Sequence, residues 1–308
     1  MKKSILPVLL ITIILLFSSC LSPSPRVNNV QDEVPEALIG IAKITPPAYQ
    51  QGLAPRSLIY GIPCSTCTII SYNEFVLCHD TEKKVPLWSV YFSRPEDLQA
   101  CDKRPKVQFI PEPSLPAGER AELADYKAVK TCREVDSDPC PKPLKAKYDI
   151  GHMTPSNAMC ATDIMKKTFV LSNAVPQFWK FNETPWNQLE GKIDKFAKTH
   201  VIWVYTGPVF RNGKPLEKVG KNQVWAPTDV YKVVIYEVDD HPKAFAFIAP
   251  NVMPAKKTDL STYVTTIDNI EALTGLDFLK TEPSLPKTEE DMIESTTPTA
   301  FELSGLGI

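Results

Sequence analysis

Runs of β-branched and aromatic residues, each closed by turn residues, place the strongest limit on how this chain can fold. The clearest runs cover residues 201–205, 231–238 and 244–248, and residues 88–92 alternate large and small side chains. Short runs of this composition predict strands rather than helices. Because strand follows strand with little helix between them, the pattern predicts an α+β fold, a single domain built on an antiparallel sheet.

Two segments carry helix signals within this strand-rich pattern. Thr184 and Pro185 are typical of an N-cap and a first helical position, and apolar side chains then recur at helical spacing. A second helix is predicted over residues 267–273. Residues 96–147 are rich in proline and charge, which predicts long loops.

The first twenty residues have the features of an export signal. Lys2 and Lys3 precede an apolar run over residues 5–17 that is short for a membrane span, with a transmembrane anchor as the alternative. The segment Phe17-Ser18-Ser19-Cys20 resembles the bacterial lipobox, whose cysteine is lipidated; ordinary signal cleavage is the other option. No Asp follows Cys20, so we expect an exported lipoprotein anchored in the outer membrane of a Gram-negative bacterium.

The chain divides into four predicted parts. Residues 1–20 are the signal peptide with its lipobox, and the Pro/Ser-rich residues 21–48 are a flexible tether that cannot pack. Residues 49–284 are the globular domain, and the polar, Thr-rich residues 285–308 are a loose C-terminal tail. Lipid on Cys20 would fix the protein to a membrane while the domain stayed in water.

Cysteine usage agrees with export to an oxidising compartment. Apart from Cys20, seven cysteines remain, at positions 64, 67, 78, 101, 132, 140 and 160, which is typical of disulfides plus one thiol. The Cys64–Cys67 spacing also permits zinc, but no second CxxC and no histidine pair stand nearby, which favours a structural disulfide. Cys132 and Cys140 share a polar loop and could pair locally; the connectivity stays open.

The charge balance argues against a tight, general nucleic-acid binder. The formal net charge is −2, whereas such binders are usually basic. An enzyme that grips a few phosphates locally is compatible with this value. The lysines near Asp149 are Lys142, Lys145, Lys147, Lys166 and Lys167. They are candidate phosphate contacts, with a solvated loop surface as the alternative.

His152 stands out among the four histidines of the chain. It follows Asp149-Ile150-Gly151 and precedes Met-x-Pro, whereas the other three histidines lie in turn-like segments or at a helix end. A glycine beside a reactive side chain allows close backbone approach. Asp149 is placed to hydrogen-bond locally and fix the loop.

The residues around His152 resemble the DNA/RNA non-specific endonucleases, the ββα-metal (His-Me finger) family of the endonuclease G type. The family signature Asp-Arg-Gly-His stands here as Asp149-Ile150-Gly151-His152, and a second signature follows over residues 170–190. Thr206-Gly207-Pro208 and residues 270–278 match later family segments. The resemblance covers roughly residues 60–280 and implies an antiparallel core that carries a ββα-metal motif.

The resemblance implies a role for each matching residue. His152 would be the general base that takes a proton from the attacking water, since the imidazole pKa lies near working pH. Asn182 would be the direct protein ligand of one Mg²⁺, with Mn²⁺ possible. Glu190 would act in catalysis by holding metal-bound water. Asn173 would position the site and contact substrate, with a turn-capping role as the alternative.

Members of the family also bind phosphate through arginines, and this chain matches only some of those arginine positions. Arg104 matches the upstream catalytic and substrate-binding arginine best, with Arg94 as the alternative; Lys147 is a further substrate contact. The arginine inside the signature is replaced by Ile150, and a later one falls on Asp194 or its neighbour. Contacts to phosphate from charged groups are strong, so these replacements weaken the expected grip.

The leading hypothesis is a Mg²⁺-dependent endonuclease that hydrolyses phosphodiester bonds in DNA and RNA. The alternative, motivated by Ile150, Asp194 and the acidic balance, is a catalytically impaired module that binds nucleic acid or a protein at the membrane surface. A structural envelope lipoprotein is the third option. The substrates would be DNA and RNA, the membrane would be contacted through Cys20, and the sequence identifies no protein partner.

Overall fold

The computed structural model describes residues 56–64, 66–133, 145–280 and 285–308. The predicted signal peptide, Cys20 and the tether lie outside these residues. Within them, no helix combines the length and apolar character that crossing a bilayer requires.

The described residues form thirteen strands and five helices, the helices being counted without the short 3-10 turns. The strands are β1 (Thr68–Tyr72), β2 (Phe75–Asp80), β3 (Val85–Ser93), β4 (Lys130–Thr131), β5 (Lys145–Ala146), β6 (Tyr148–His152), β7 (Ala174–Phe178), β8 (Ile202–Val209), β9 (Glu217–Val219), β10 (Val224–Ala226), β11 (Asp229–Val238), β12 (His241–Pro250) and β13 (Val264–Thr265). The helices are α1 (Thr162–Lys167), α2, which runs through Trp179–Phe181, Asn182–Trp186 and Asn187–Ala197, α3 (Ile267–Thr274), α4 (Lys287–Ser295) and α5 (Ala300–Leu306).

A seven-stranded sheet forms the centre of the fold, in the order β1-β2-β3-β8-β11-β12-β13. Each neighbouring pair is antiparallel, so the predicted α+β class with an antiparallel core is confirmed. The longest pair, β11 and β12, is joined by Asp239 and Asp240, which both have positive φ. Two such residues make the tight turn that matches the twist of the flanking strands.

The central sheet is covered on both faces, and β8 shows how the sequence achieves this. Its residues alternate between two apolar clusters: Ile202 and Val204 belong to one, Trp203 and Tyr205 to the other. All four are almost completely buried. Because strand side chains point to opposite faces in turn, a run that is apolar throughout requires cover on both sides. The first cluster also contains residues of β6, β7 and α2, which places the His152 segment on that face.

Disulfides fasten two outer parts of the fold. Cys67 is bonded to Cys78, which links the start of β1 to β2, and Cys101 is bonded to Cys160. The disulfide interpretation of the CxxC is therefore correct for Cys67, although its partner is Cys78 and not Cys64. Cys132 is also disulfide-bonded, and its expected partner, Cys140, lies outside the described residues.

The prediction of a loose tail over residues 285–308 is wrong for most of that segment. Helices α4 and α5 occupy it, and Ile293 and Leu306 are buried against the two core clusters. Helix α5 begins with a capping box in which Thr299 and Glu302 bond reciprocally, and it ends at Gly307 in the left-handed conformation. Caps and a few buried side chains, rather than overall composition, make these short helices stable.

Candidate active site

His152 lies at the end of the first strand of a ββα unit. Strands β6 and β7 pair in antiparallel register from Tyr148–Phe178 to His152–Ala174, and helix α2 follows β7 directly. Gly151 is required in this hairpin because a Cβ atom there would lie 1.9 Å from Oε1 of Gln177. The glycine therefore allows the two strands to close with a buried side chain packed over it.

The His152 ring packs against two aromatic side chains that also contact each other. Its centroid lies 4.5 Å from that of Phe109 and 4.9 Å from that of Phe169. Burial, with smaller contributions from the positive charges of Arg104 and Lys232, lowers the pKa of His152 to about 3. The imidazole is therefore neutral near pH 7 and free to accept a proton, but a pKa this far below working pH makes it a weaker base than the sequence predicts.

One nitrogen of this imidazole is left without a partner. Nε2 of His152 is buried and makes no hydrogen bond with any described residue. An unsatisfied buried polar atom costs roughly 1–3 kcal/mol, so proteins keep few of them without a reason. A role in accepting a proton from a bound molecule would explain why this nitrogen is kept without a partner.

Asn182 is oriented by a carboxylate of the His152 strand. Its Nδ2 atom donates to Oδ2 of Asp149 at 3.2 Å, and Arg133 donates to Oδ1 of the same carboxylate at 2.5 Å. A carboxylate only accepts, so the amide nitrogen must face Asp149. The Asn182 oxygen consequently points away, and within the described residues it accepts no hydrogen bond. This leaves a fixed amide oxygen beside the His152 strand.

Asn182 also begins a π-helical segment inside α2. The segment spans Asn182–Trp186 and contains Pro185, while ordinary α-helix precedes and follows it. The sequence places the helix start at Thr184, but the helix begins at Trp179 and Pro185 lies within it. Proline lacks the N–H that an α-helical turn needs, and the wider π turn accommodates that loss. Such bulges are frequent at functional sites because they re-aim one side chain.

Glu190 faces a buried lysine that the sequence analysis does not identify. Nζ of Lys232, a side chain only 1% exposed, lies 3.3 Å from Oε1 of Glu190 and donates to Thr206 at 2.9 Å. Burial lowers the pKa of Lys232 and raises that of Glu190. Burial together with the nearby Glu190 charge raises the pKa of Asp194 to about 7. Two carboxyls thus share one buried ammonium.

The two candidate arginines have different surroundings. Arg104 is exposed, and its guanidinium lies 5.2 Å from the Phe169 ring that also contacts His152. The Cys101–Cys160 bond anchors its segment close to the end of β6. Arg94 instead makes a two-pronged ion pair with Asp97. Of the two alternatives, only Arg104 is near His152 with its guanidinium open to solvent.

Two predicted substrate contacts are engaged elsewhere. Lys147 forms an ion pair with Glu217, so its charge is already balanced, which disfavours a role as a phosphate contact. Asn173 is fully buried; its oxygen accepts from the Thr154 amide and Ser89, and its nitrogen donates to the carbonyls of Thr154 and Thr168. An amide makes four hydrogen bonds at most, so Asn173 fixes the loop after His152 and has none left for substrate.

Lys232 and Arg133 are site residues that the sequence pattern did not identify. Only Lys232 stands in a sequence context that could have indicated its role. Lys232 is the single charged residue in the apolar run 230–236. A lysine at that place in a strand buried on both faces needs a buried partner. Arg133 lies in a loop-rich stretch, and no local pattern connects it with Asp149.

Comparison with known proteins agrees with this geometry. The family model for DNA/RNA non-specific endonuclease matches residues 54–285. Mitochondrial endonuclease G of Bos taurus is 30% identical over 245 residues, which span 76% of this chain and 76% of that protein. Nuclease C1 of Cunninghamella echinulata var. echinulata is 28% identical over 234 residues, which span 72% of this chain and 86% of that protein.

A solved structure extends the likeness to the fold. The match is to a chain of the crystal structure of the EndoG/EndoGI complex, with a TM-score of 0.63 and 26% identity, and it covers 75% of this chain and 91% of that chain. The chain belongs to the DNA/RNA non-specific endonuclease family. It is a nuclease, an enzyme that hydrolyses the phosphodiester bonds of nucleic acids.

Proposed function

We propose that the chain is a Mg²⁺-dependent endonuclease that cleaves both DNA and RNA, with His152 as its general base. The observation that carries this proposal is a pair of acceptor atoms on one ββα unit that have no hydrogen-bond partner among the described residues. They are Nε2 of neutral His152 and the amide oxygen of Asn182. The first is suited to receive a proton and the second to hold a hard cation.

The residues present fit a divalent metal. Magnesium prefers oxygen ligands and keeps most of its water, so the fixed oxygen of Asn182 suffices as a protein ligand; Mn²⁺ accepts the same ligand type. When bound, the ion would neutralise charge on the phosphate and the leaving oxygen. Glu190, held by Lys232, would orient water beyond the direct ligand.

The chain's own side chains would carry the proton and the phosphate. Nε2 of His152 accepts a proton from water as that water attacks phosphorus, and the two aromatic rings keep the imidazole in place. Arg104 donates charge-assisted hydrogen bonds to the phosphate from the open side. The products would be strands with 5′-phosphate ends.

The replaced arginines support a second candidate, a nuclease fold that binds nucleic acid but cleaves it poorly. Ile150 is partly buried and packs against the core cluster, so it offers phosphate no hydrogen bond. Asp194 brings a carboxyl next to Glu190, where the family pattern has an arginine. Lys232 lies near Glu190 on the sheet side, but it is buried and paired with Glu190, so it does not replace an arginine that contacts phosphate.

Metal-dependent digestion by the purified protein separates these two candidates. We expect plasmid DNA and RNA to be degraded with Mg²⁺ or Mn²⁺ and to remain intact with EDTA. Gel electrophoresis measures the cleavage, and end-labelling identifies the 5′-phosphates. Salt-dependent retention of DNA without cleavage in any metal would instead support the binding module.

We also propose that the protein is exported and anchored to a membrane by lipid on Cys20. The lipobox-like residues 17–20 support this. In a Gram-negative host fed labelled palmitate, the chain should incorporate label and sediment with the outer membrane. Cys20→Ala should remove both properties, while Ser24→Ala in the tether keeps them. An unlabelled, fully soluble wild-type chain would contradict the proposal.

A further inference from the structure

Five carboxyl side chains meet where helix α3 packs against helix α4, on the helical layer that covers the second core cluster. None of them belongs to the His152 unit. The five are Asp268, Glu271, Asp277, Glu290 and Glu294. They come from α3, from the turn after it and from α4.

The carboxyls form two groups of three that share Glu294. Asp268 and Glu271 complete one group, and Asp277 and Glu290 complete the other. Within each group, one oxygen from each residue lies within 4.8 Å of the others. Calcium binds oxygen at about 2.3–2.6 Å, so ligands on opposite sides of the ion stand roughly 5 Å apart. Within either group, the spacing therefore suits one ion coordinated by its three carboxyls, and the shared Glu294 would belong to the site in both cases.

The burial of Glu294 distinguishes this cluster from a group of exposed surface carboxylates. Glu294 is only 4% exposed, and its buried Oε1 has no hydrogen-bond partner among the described residues. A buried carboxylate without a partner needs a proton or a cation. Burial and the neighbouring carboxyls raise the pKa of Glu294 to about 8, and burial raises that of Glu271 to about 7.

The lysines nearby balance only the rim of the cluster. Lys280 pairs with Asp277, and Lys287 pairs with Glu290 and Asp291. Neither lysine forms an ion pair with Glu271 or Glu294 in the described residues. Glu271 is held in place instead by a hydrogen bond of 2.7 Å from the backbone amide of Phe278. Within the described residues, the centre of the cluster is therefore left without an ion pair, and the Phe278 amide fixes the position of Glu271.

We propose that this cluster is a calcium site that joins α3 to α4. The ligands are carboxylate oxygens, which favour a hard cation over zinc or copper. Calcium accepts six to eight oxygens in flexible arrangements, whereas magnesium demands a near-ideal octahedron and gives up its water reluctantly. The ion would hold α4, and with it the buried Ile293, against the sheet. This proposal is independent of the nuclease mechanism.

Thermal unfolding of the purified protein with calcium or EDTA tests the site. Because a ligand that binds only the folded state stabilises it, we expect the midpoint to rise on the order of 5–10 °C at calcium about a hundredfold above the dissociation constant. Glu294→Gln should abolish this shift and leave DNA cleavage unchanged. Asp291→Asn, which neutralises an exposed neighbour on the same helix, should keep the full shift.

Two further measurements separate this site from the catalytic metal. The Asn182→Ala variant should still show the calcium shift, and titration calorimetry of that variant should give one calcium per chain. If Glu294→Gln does not fold, Asp268→Asn removes an exposed ligand of the same group and should weaken calcium binding. The proposal is overturned by an absent shift in the wild type, by a shift that survives Glu294→Gln, or by an equal shift with magnesium.

Discussion

Alanine in place of His152 is expected to lower the rate of DNA and RNA cleavage by about 10²- to 10⁴-fold, the usual contribution of a general base. The imidazole is the neutral acceptor at the end of β6, and its buried Nε2 atom has no hydrogen-bond partner in the part of the chain that the structure describes. Asp149, the carboxylate on the same strand, is not free to take over, because it is engaged by Arg133 and Asn182. Initial rates on a fluorescent oligonucleotide measure the loss.

A matched histidine and a rescue experiment distinguish chemistry from folding. His241 is exposed and pairs with Glu289 at the surface, so His241→Ala should cleave at the wild-type rate. His152→Ala leaves a gap beside the rings of Phe109 and Phe169, which also contact each other. Imidazole added to the buffer should occupy this gap and restore part of the activity. Full activity in His152→Ala, with an unchanged melting curve, would remove His152 from the mechanism.

The strands were predictable because their sequence pattern has a direct physical cause. A strand in a sheet covered on both faces is apolar at most positions, and β8 and β11 show such runs apart from a few buried polar residues such as Lys232. The tail was not predictable in the same way. Helix α4 has only Ile293 and Glu294 buried in nine residues, so its stability comes from packing that the sequence does not display.

The candidate site also contains one residue that the local sequence identifies and one that it does not. His152 stands out because a glycine precedes it, and the structure supplies the reason in the Gln177 side chain that covers Gly151. The sequence pattern places Asn182 just before a predicted helix, where nothing marks it as a functional residue. Only the resemblance to the family identifies it. Its orientation depends on Arg133 and Asp149, which are 49 and 33 positions away in the chain. Contacts of this kind leave no local pattern.

Asn182→Ala is expected to reduce cleavage on the order of 10³-fold at a fixed Mg²⁺ concentration, since losing roughly 4 kcal/mol of transition-state stabilisation corresponds to that factor. The substitution removes the amide oxygen that faces away from Asp149. The loss should lessen as Mg²⁺ is raised, because the missing ligand lowers affinity for the ion. Rates measured across a metal titration separate weaker binding from slower chemistry.

Two other substitutions identify which part of the Asn182 side chain matters. Asn187 is exposed on the same helix, so Asn187→Ala should leave both the rate and the metal requirement unchanged. Asn182→Asp retains an oxygen ligand but replaces the amide donor with a second carboxylate 3.2 Å from Asp149. Repulsion between the two carboxylates should turn the new side chain or bind a proton, so this variant should recover with rising metal more fully than Asn182→Ala. Equal metal titrations for wild type and Asn182→Ala would mean that the ion is held by other residues, while His152 could still be the base.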